Sequence, residues 1–412
     1  MIVFIIQTTL QTPIHLYRCT QHFIVLKYSQ GDDFMKEEKK SKNKLSLKAI
    51  IPMLIGGVAG GLGGYFGAQY LDKSGMNGTS YILVLFGSAI AIYLQLILHE
   101  AGHLIFGMLS GYKFVSFRVG SFTIYKKEGK IHFGSYKLAG TGGQCLMAPP
   151  DLVEGKIPYA LFNFGGVIVN VIVSVIALTV LLVCELDPIL LCSFVVFIAT
   201  GLFAALTNGI PLHLNGIDND GYNALSLGKN PDALRTFWLQ LKVNELQTEG
   251  KRLKDMPEEW FQKPSEEGMK NNMIAAIEAM RCNRLLDMHC FEEVNQAITD
   301  VLDGDNNMVG VQKMLLQIDR VFCEIMGERK EEILNEIQGK ELAGFMKAMK
   351  TFPSVVRTQY AYALLIQKEE KEIEKYKKQF EKIMKKHPYK GEIESEGELI
   401  AFCEKQIDEI TK

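Results

Sequence analysis

Two histidines and a glutamate in His99-Glu100-Ala101-Gly102-His103 have the spacing that metal-assisted hydrolysis needs. On a helix, positions four apart share a face, so His99 and His103 can grip one ion from the same side. Glu100, next to the first of them, is then placed to take a proton from an attacking water. A catalytic zinc wants three protein ligands and one open position. The extended pattern H-E-x-x-H-x-x-G-x-x-H does not supply the third, because the positions it requires are Phe106 and Leu109. The next glutamate, Glu128, falls in strand-like sequence, which disfavours a ligand on a following helix. The remaining candidates cluster between Asn208 and Gly221: His213, Asp218 and Asp220.

These residues sit in unusual surroundings. The run Ala89–Leu98 before His99 is apolar except for Gln95. Imidazole and carboxylate groups at such a place are costly, and cost implies use. The apolar run belongs to a longer pattern. Hydrophobic residues make up 48% of the 412-residue chain although 22% are charged, so the two kinds of residue are segregated. Apolar stretches dominate from about 49 to 214, and charges dominate beyond 229. Four segments meet the roughly 20-residue length of a bilayer crossing: Leu47–Tyr70, Ser80–Leu109, Ile157–Val183 and Pro188–Pro211. A buried soluble helix could explain one of them, but not four in succession. The first is dense in glycine, which permits close helix packing in lipid.

Basic residues orient the spans. Six lysines lie between Lys36 and Lys48, and the segment 110–156 carries Lys113, Arg118, Lys126, Lys127, Lys130, Lys137 and Lys156. The two opposite loops hold Lys73 and no other basic residue. Both termini and the 110–156 segment are therefore expected in the cytosol, with the histidines near the cytosolic end of the second span. Within 110–156, Tyr112–Val119, Ser121–Tyr125 and Lys130–Lys137 read as short strands at the membrane surface, with a turn at Glu128-Gly129. Gly140–Gln144 reads as a loop leading to Pro149-Pro150. Amphipathic helices follow near 231–253, 268–303, 308–337, 354–386 and 391–410, similar to tetratricopeptide hairpins but without a firm 34-residue period.

The predicted architecture is a polytopic α-helical membrane protein of four transmembrane helices with a small membrane-surface β-sheet, followed by an all-α soluble domain of helical hairpins. Its expected parts are a basic cytosolic extension (1–46), a transmembrane core (47–228, including the β-rich 110–156) and a helical cytosolic domain (229–412). Residues 1–34 lack the layout of a signal peptide, and Met35-Lys-Glu-Glu-Lys-Lys reads as the natural start. A native mass that includes Met1 would refute that start. Eight cysteines without a C-x-x-C pair suggest neither a thiolate metal site nor a disulfide framework, and the four beyond 280 read as core thiols. A net charge of −2 with no basic face excludes a nucleic-acid partner.

The order of motifs resembles the site-2 protease family of intramembrane zinc metalloproteases. The resemblance rests on H-E-x-x-H in one span, Gly166-Val-Ile-Val-Asn170 in the next, and Asn208-Gly-Ile-Pro211 with Asp220-Gly221 after the last. It covers roughly 80–225. It implies Zn2+ as cofactor, held by His99, His103 and Asp220, with Glu100 as the catalytic base. Three departures stand out: Val167 replaces the proline of G-P-x-x-N, Asn219 replaces the leucine of L-D-G, and the stretch from Asn208 to Asp220 is about four residues longer than usual. The longer loop leaves Asp218 as an alternative ligand. Asn170 and Asn208 are candidates to orient ligands or hold a developing oxyanion, with helix packing as the plainer role.

The expected function is an intramembrane endopeptidase of the bacterial cell membrane. It would cut a membrane-embedded or membrane-anchored protein or peptide with a zinc-activated water and Glu100 as general base and acid. The strands at 112–137 would offer an edge for capturing unwound substrate. The helical region would receive substrate or a regulator. The alternative is a metal-binding membrane protein without proteolysis, serving as an accessory, regulatory or immunity factor for peptide export or maturation. An intact Glu100 argues against it, since a bare ligand site has no use for a base.

Overall fold

A computed structural model describes residues 77–410 except 128, 136–141, 215–216, 386 and 388, together with Gln69 and Lys73. Among the described residues, three helices are long and apolar enough to cross a membrane: α1 (Gly78–Leu109), α2 (Ala160–Val183) and α3 (Pro188–Gly209). They correspond to three of the four expected spans. The other, Leu47–Tyr70, lies outside the described residues except for Gln69. Helix α1 starts where the Asn77 side chain accepts from Ser80 N, and α3 where Asp187 accepts from Ile189 N and Leu190 N ahead of Pro188. At 1.5 Å per residue, α1 is about 48 Å long, more than the ~30 Å hydrocarbon layer, so it tilts or projects beyond it.

The three helices pack on one another with their large apolar side chains outward. Ile82, Leu85, Phe86, Val175, Ile176 and Leu182 are exposed, while Gln95, His99, Asn170, Ser174 and Asn208 are buried. This inverts a soluble protein's pattern and suits lipid, where polar groups must find partners inside the bundle. Helices α1 and α2 meet backbone to backbone. A Cβ on Gly102 would stand 2.3 Å from the Gly165 carbonyl oxygen, and one on Gly165 would stand 2.4 Å from that of Gly102. Only glycines allow this approach.

Between α1 and α2 lies a four-stranded antiparallel sheet: β1 (Lys113–Val119), β2 (Phe122–Lys127), β3 (Lys130–Ser135) and β4 (Gly143–Ala148), in the order β3-β2-β1-β4. Two or three strands were expected. The fourth occupies the end of what the sequence presents as a glycine-rich loop, and every one of its residues is buried. With β2 on one side and β4 on the other, β1 has no free edge, so of the strands within 112–137 it is β3 that stands at an end of the sheet. The ends of the sheet are β3 and β4.

After α3 comes a two-rung hairpin, β5 (His213–Leu214) with β6 (Ile217–Asp218), and a short helix, α4 (Asp220–Ser226). The helical region follows: α5 (Pro231–Thr248), α6 (Glu266–Met269), α7 (Asn272–Asp287), α8 (Phe291–Asp303), α9 (Gly310–Met326), α10 (Glu331–Glu336), α11 (Lys340–Ala348), α12 (Pro353–Tyr362), α13 (Glu370–Met384) and α14 (Lys390–Ile410). Helix α11 falls where the sequence offered only a break before Phe352-Pro353. The region is not tethered at a distance. Helix α5 packs on β4, Trp238 Nε1 donates to Pro150 O at 3.0 Å, and Phe237 faces Phe162 of α2. One apolar cluster runs from Tyr112, Met147 and Phe162 through Phe237 to Phe322 and Cys403. Cys282, Cys323 and Cys403 are buried thiols, and Cys290 is half-buried.

Candidate metal centre

Helix α1 brings His99, Glu100 and His103 to one turn, and all three are buried. Helix α4 brings Asp220 to meet them. Its approach depends on Gly221, where a Cβ would lie 2.2 Å from the Gly209 carbonyl oxygen at the end of α3. Asn219 holds the turn. Its Oδ1 accepts from Tyr222 N and Leu212 N, and its Nδ2 donates to Thr207 O and Ile210 O. As a result His99, His103 and Asp220 each offer an atom to a group whose members all lie within 4.8 Å of one another. His99 Nε2 and His103 Nε2 are 3.3 Å apart, and Asp220 Oδ2 is 3.2 Å from the first and 3.3 Å from the second.

The protonation of His99 can be worked out from the far end of the bundle. Gln95 Nε2 donates to the Phe197 carbonyl at 2.9 Å, which leaves Gln95 Oε1 as an acceptor. Asn170 Nδ2 fills it at 2.7 Å and also reaches Gln95 O at 3.2 Å. Asn170 Oδ1, 2.6 Å from His99 Nδ1, must therefore accept, so Nδ1 carries the proton. His103 Nδ1 likewise donates to the Phe162 carbonyl at 2.8 Å. Both Nε2 atoms are left with lone pairs turned inward.

Two lone pairs and a carboxylate oxygen at such distances repel unless a cation stands among them. The separations suit one. Metal–ligand bonds of about 2.0–2.1 Å in a tetrahedron require ligand atoms roughly 3.3–3.4 Å apart. Gly166 lies flat against the His99 ring, where a Cβ would come within 2.5 Å of Cε1 and 2.7 Å of both nitrogens. Glu100 lies against the start of β4, with Gly143 so close that a Cβ there would be 2.6 Å from Glu100 Oε1.

The family model for peptidase family M50 matches residues 87–386. The chain belongs to that family. M50 peptidases are the site-2 proteases, zinc metalloproteases of membranes, and the His99, His103 and Asp220 group could hold the ion. The match runs past the 80–225 motifs and through most of the helical region. No curated protein and no solved structure matches the chain.

The other candidates fall elsewhere. Asp218 Oδ1 lies 2.5 Å from His213 Nδ1, so these two partner each other and not the ion group. Asn208 Nδ2 donates to Ala204 O of its own helix. Asn170 Oδ1 accepts from His99 Nδ1, the contact by which it would orient that ring. Gln95 was visible in the sequence only as a polar interruption, and its partnership with Asn170 spans 75 residues, beyond any local motif. Gly143 and Asn272, which touches Asp218, carried no sequence signal.

Proposed function

We propose that the protein is an intramembrane zinc endopeptidase that hydrolyses a peptide bond in a membrane-embedded or membrane-anchored substrate. It would be multi-pass in the cell membrane, with both termini in the cytosol. The observation that carries this reading is the convergence of three ligand atoms beside Glu100, two from the apolar helix α1 and one from α4 at the end of the helix bundle.

When bound, zinc supplies Lewis acidity that acidifies water and polarises a carbonyl. Glu100 takes a proton from the attacking water as its oxygen joins the carbonyl carbon. It then returns that proton to the nitrogen as the C–N bond breaks. The His99–Asn170–Gln95 chain keeps one ligand aimed while this happens. A helical substrate has its carbonyls engaged and must unwind first. Strand β4 lies at the end of the sheet beside Glu100, and an extended segment laid along it would present a carbonyl to the base.

The test is to purify the protein, measure zinc, and compare membrane peptides in cells carrying the wild type or Glu100→Gln. The expected result is about one bound zinc in both proteins, with cleavage lowered at least 100-fold in the variant. Absence of zinc, or identical peptide profiles, would sink the reading.

A further inference from the structure

The β5–β6 hairpin, which precedes the Asp220 turn, is held from the helical region. Asp218 is buried, its Oδ1 accepting from His213 and its Oδ2 accepting from Asn272 Nδ2 at 2.9 Å. Asn272 is the first residue of α7, 54 positions further along the chain. The positive end of that helix favours a carboxylate. Two residues after Asp218 comes Asp220, and the four hydrogen bonds of Asn219 leave little slack between them. Helix α7 packs on α5, and α5 packs on β4, the strand against Glu100.

We infer that Asn272 is a positioning residue for the metal centre. Through Asp218 it sets where Asp220 stands, so the helical region controls how firmly the ion is held. This rests on the zinc peptidase reading. The Asn272 amide acts at a distance, touching neither substrate nor ion. A partner that shifts α7 would loosen the third ligand without entering the membrane.

The experiment follows zinc release to a chromophoric chelator from the full-length protein in detergent, with thermal unfolding measured in parallel. N272D sets a carboxylate against Asp218, and release should quicken at least tenfold. In D218N/N272D the amide and carboxylate exchange places. The new amide at 218 can still accept from His213 and donate to 272, and release should return to within about threefold of wild type. Rescue by exchange separates positioning from general damage, which the second change would only worsen. The inference is overturned if N272D releases zinc at the wild-type rate, or if the double exchange fails to restore it. E100Q serves as the control: it should keep zinc and the clamp but not cleave. A wild type that neither holds zinc nor cleaves would instead bring down the peptidase reading itself.

Discussion

Glycine does the most specific work around the metal group, because it lets other atoms come where a methyl would stand. Gly166 and Gly143 face different partners, and their substitutions should fail differently. In Gly166→Ala the new methyl strikes the His99 ring, which its hydrogen bond to Asn170 keeps from turning away. Zinc affinity should fall at least tenfold, read by chelator competition. In Gly143→Ala the methyl displaces the Glu100 carboxylate, while His99, His103 and Asp220 are untouched. Zinc content should stay at wild type and turnover drop at least tenfold. Equal zinc loss in both variants would show that base and ligands do not separate as the distances indicate.

Between elements, the contact that matters is α4 on α3. A methyl at Gly221 meets backbone atoms of Gly209 and Asn208, which cannot rotate away as a side chain can. Gly221→Ala should force α4 outward, costing about 1–3 kcal/mol in thermal unfolding and weakening zinc binding. Unchanged zinc affinity would mean that α4 can shift without carrying Asp220. At this scale the sequence is unevenly legible. His99, Glu100 and His103 could be read because a helix places i and i+4 together, and α1 to α3 because twenty apolar residues have few other uses. Asp220 needed the family's motif order, since a loop has no period. Strand β4 was hidden because Gly143 and Gln144 are poor strand formers, and its burial comes from α1 and α5, partners that no local pattern announces. The Asp218–Asn272 bond joins two unremarkable polar residues in separate parts of the chain.

The molecule as a whole is charged in its interior as well as on its surface. In the helical region Arg357 is buried with Asp319 and with Glu396, whose Oε1 lies 2.8 Å from Nη1, and it stacks over Phe322 at 4.3 Å. Burial pushes Glu396 from an ordinary 4.5 up to about 7, against the pull of the guanidinium, with Glu392 and Asp319 adding to the rise. A folded pKa above the unfolded one gives stability that is complete below pH 4.5 and lost as pH rises through about 7. The unfolding midpoint of the helical region should therefore fall between pH 5 and pH 8, and Glu396→Gln should flatten that slope. Identical slopes in the two proteins would refute the assignment to Glu396. The bundle in the membrane has a different kind of interior, and it bears on biogenesis. The amide chain from Phe197 through Gln95 and Asn170 to His99 has members on all three spans. Each span reaches the bilayer as a separate rod whose amides lack these partners until the rods associate. Until α3 docks, the Gln95 amide lacks its Phe197 acceptor, and α4, which leans on Gly209, cannot set Asp220 beside His99 and His103. On the zinc peptidase reading, the ion would enter late in the life of the chain, once α1, α2 and α3 have come together.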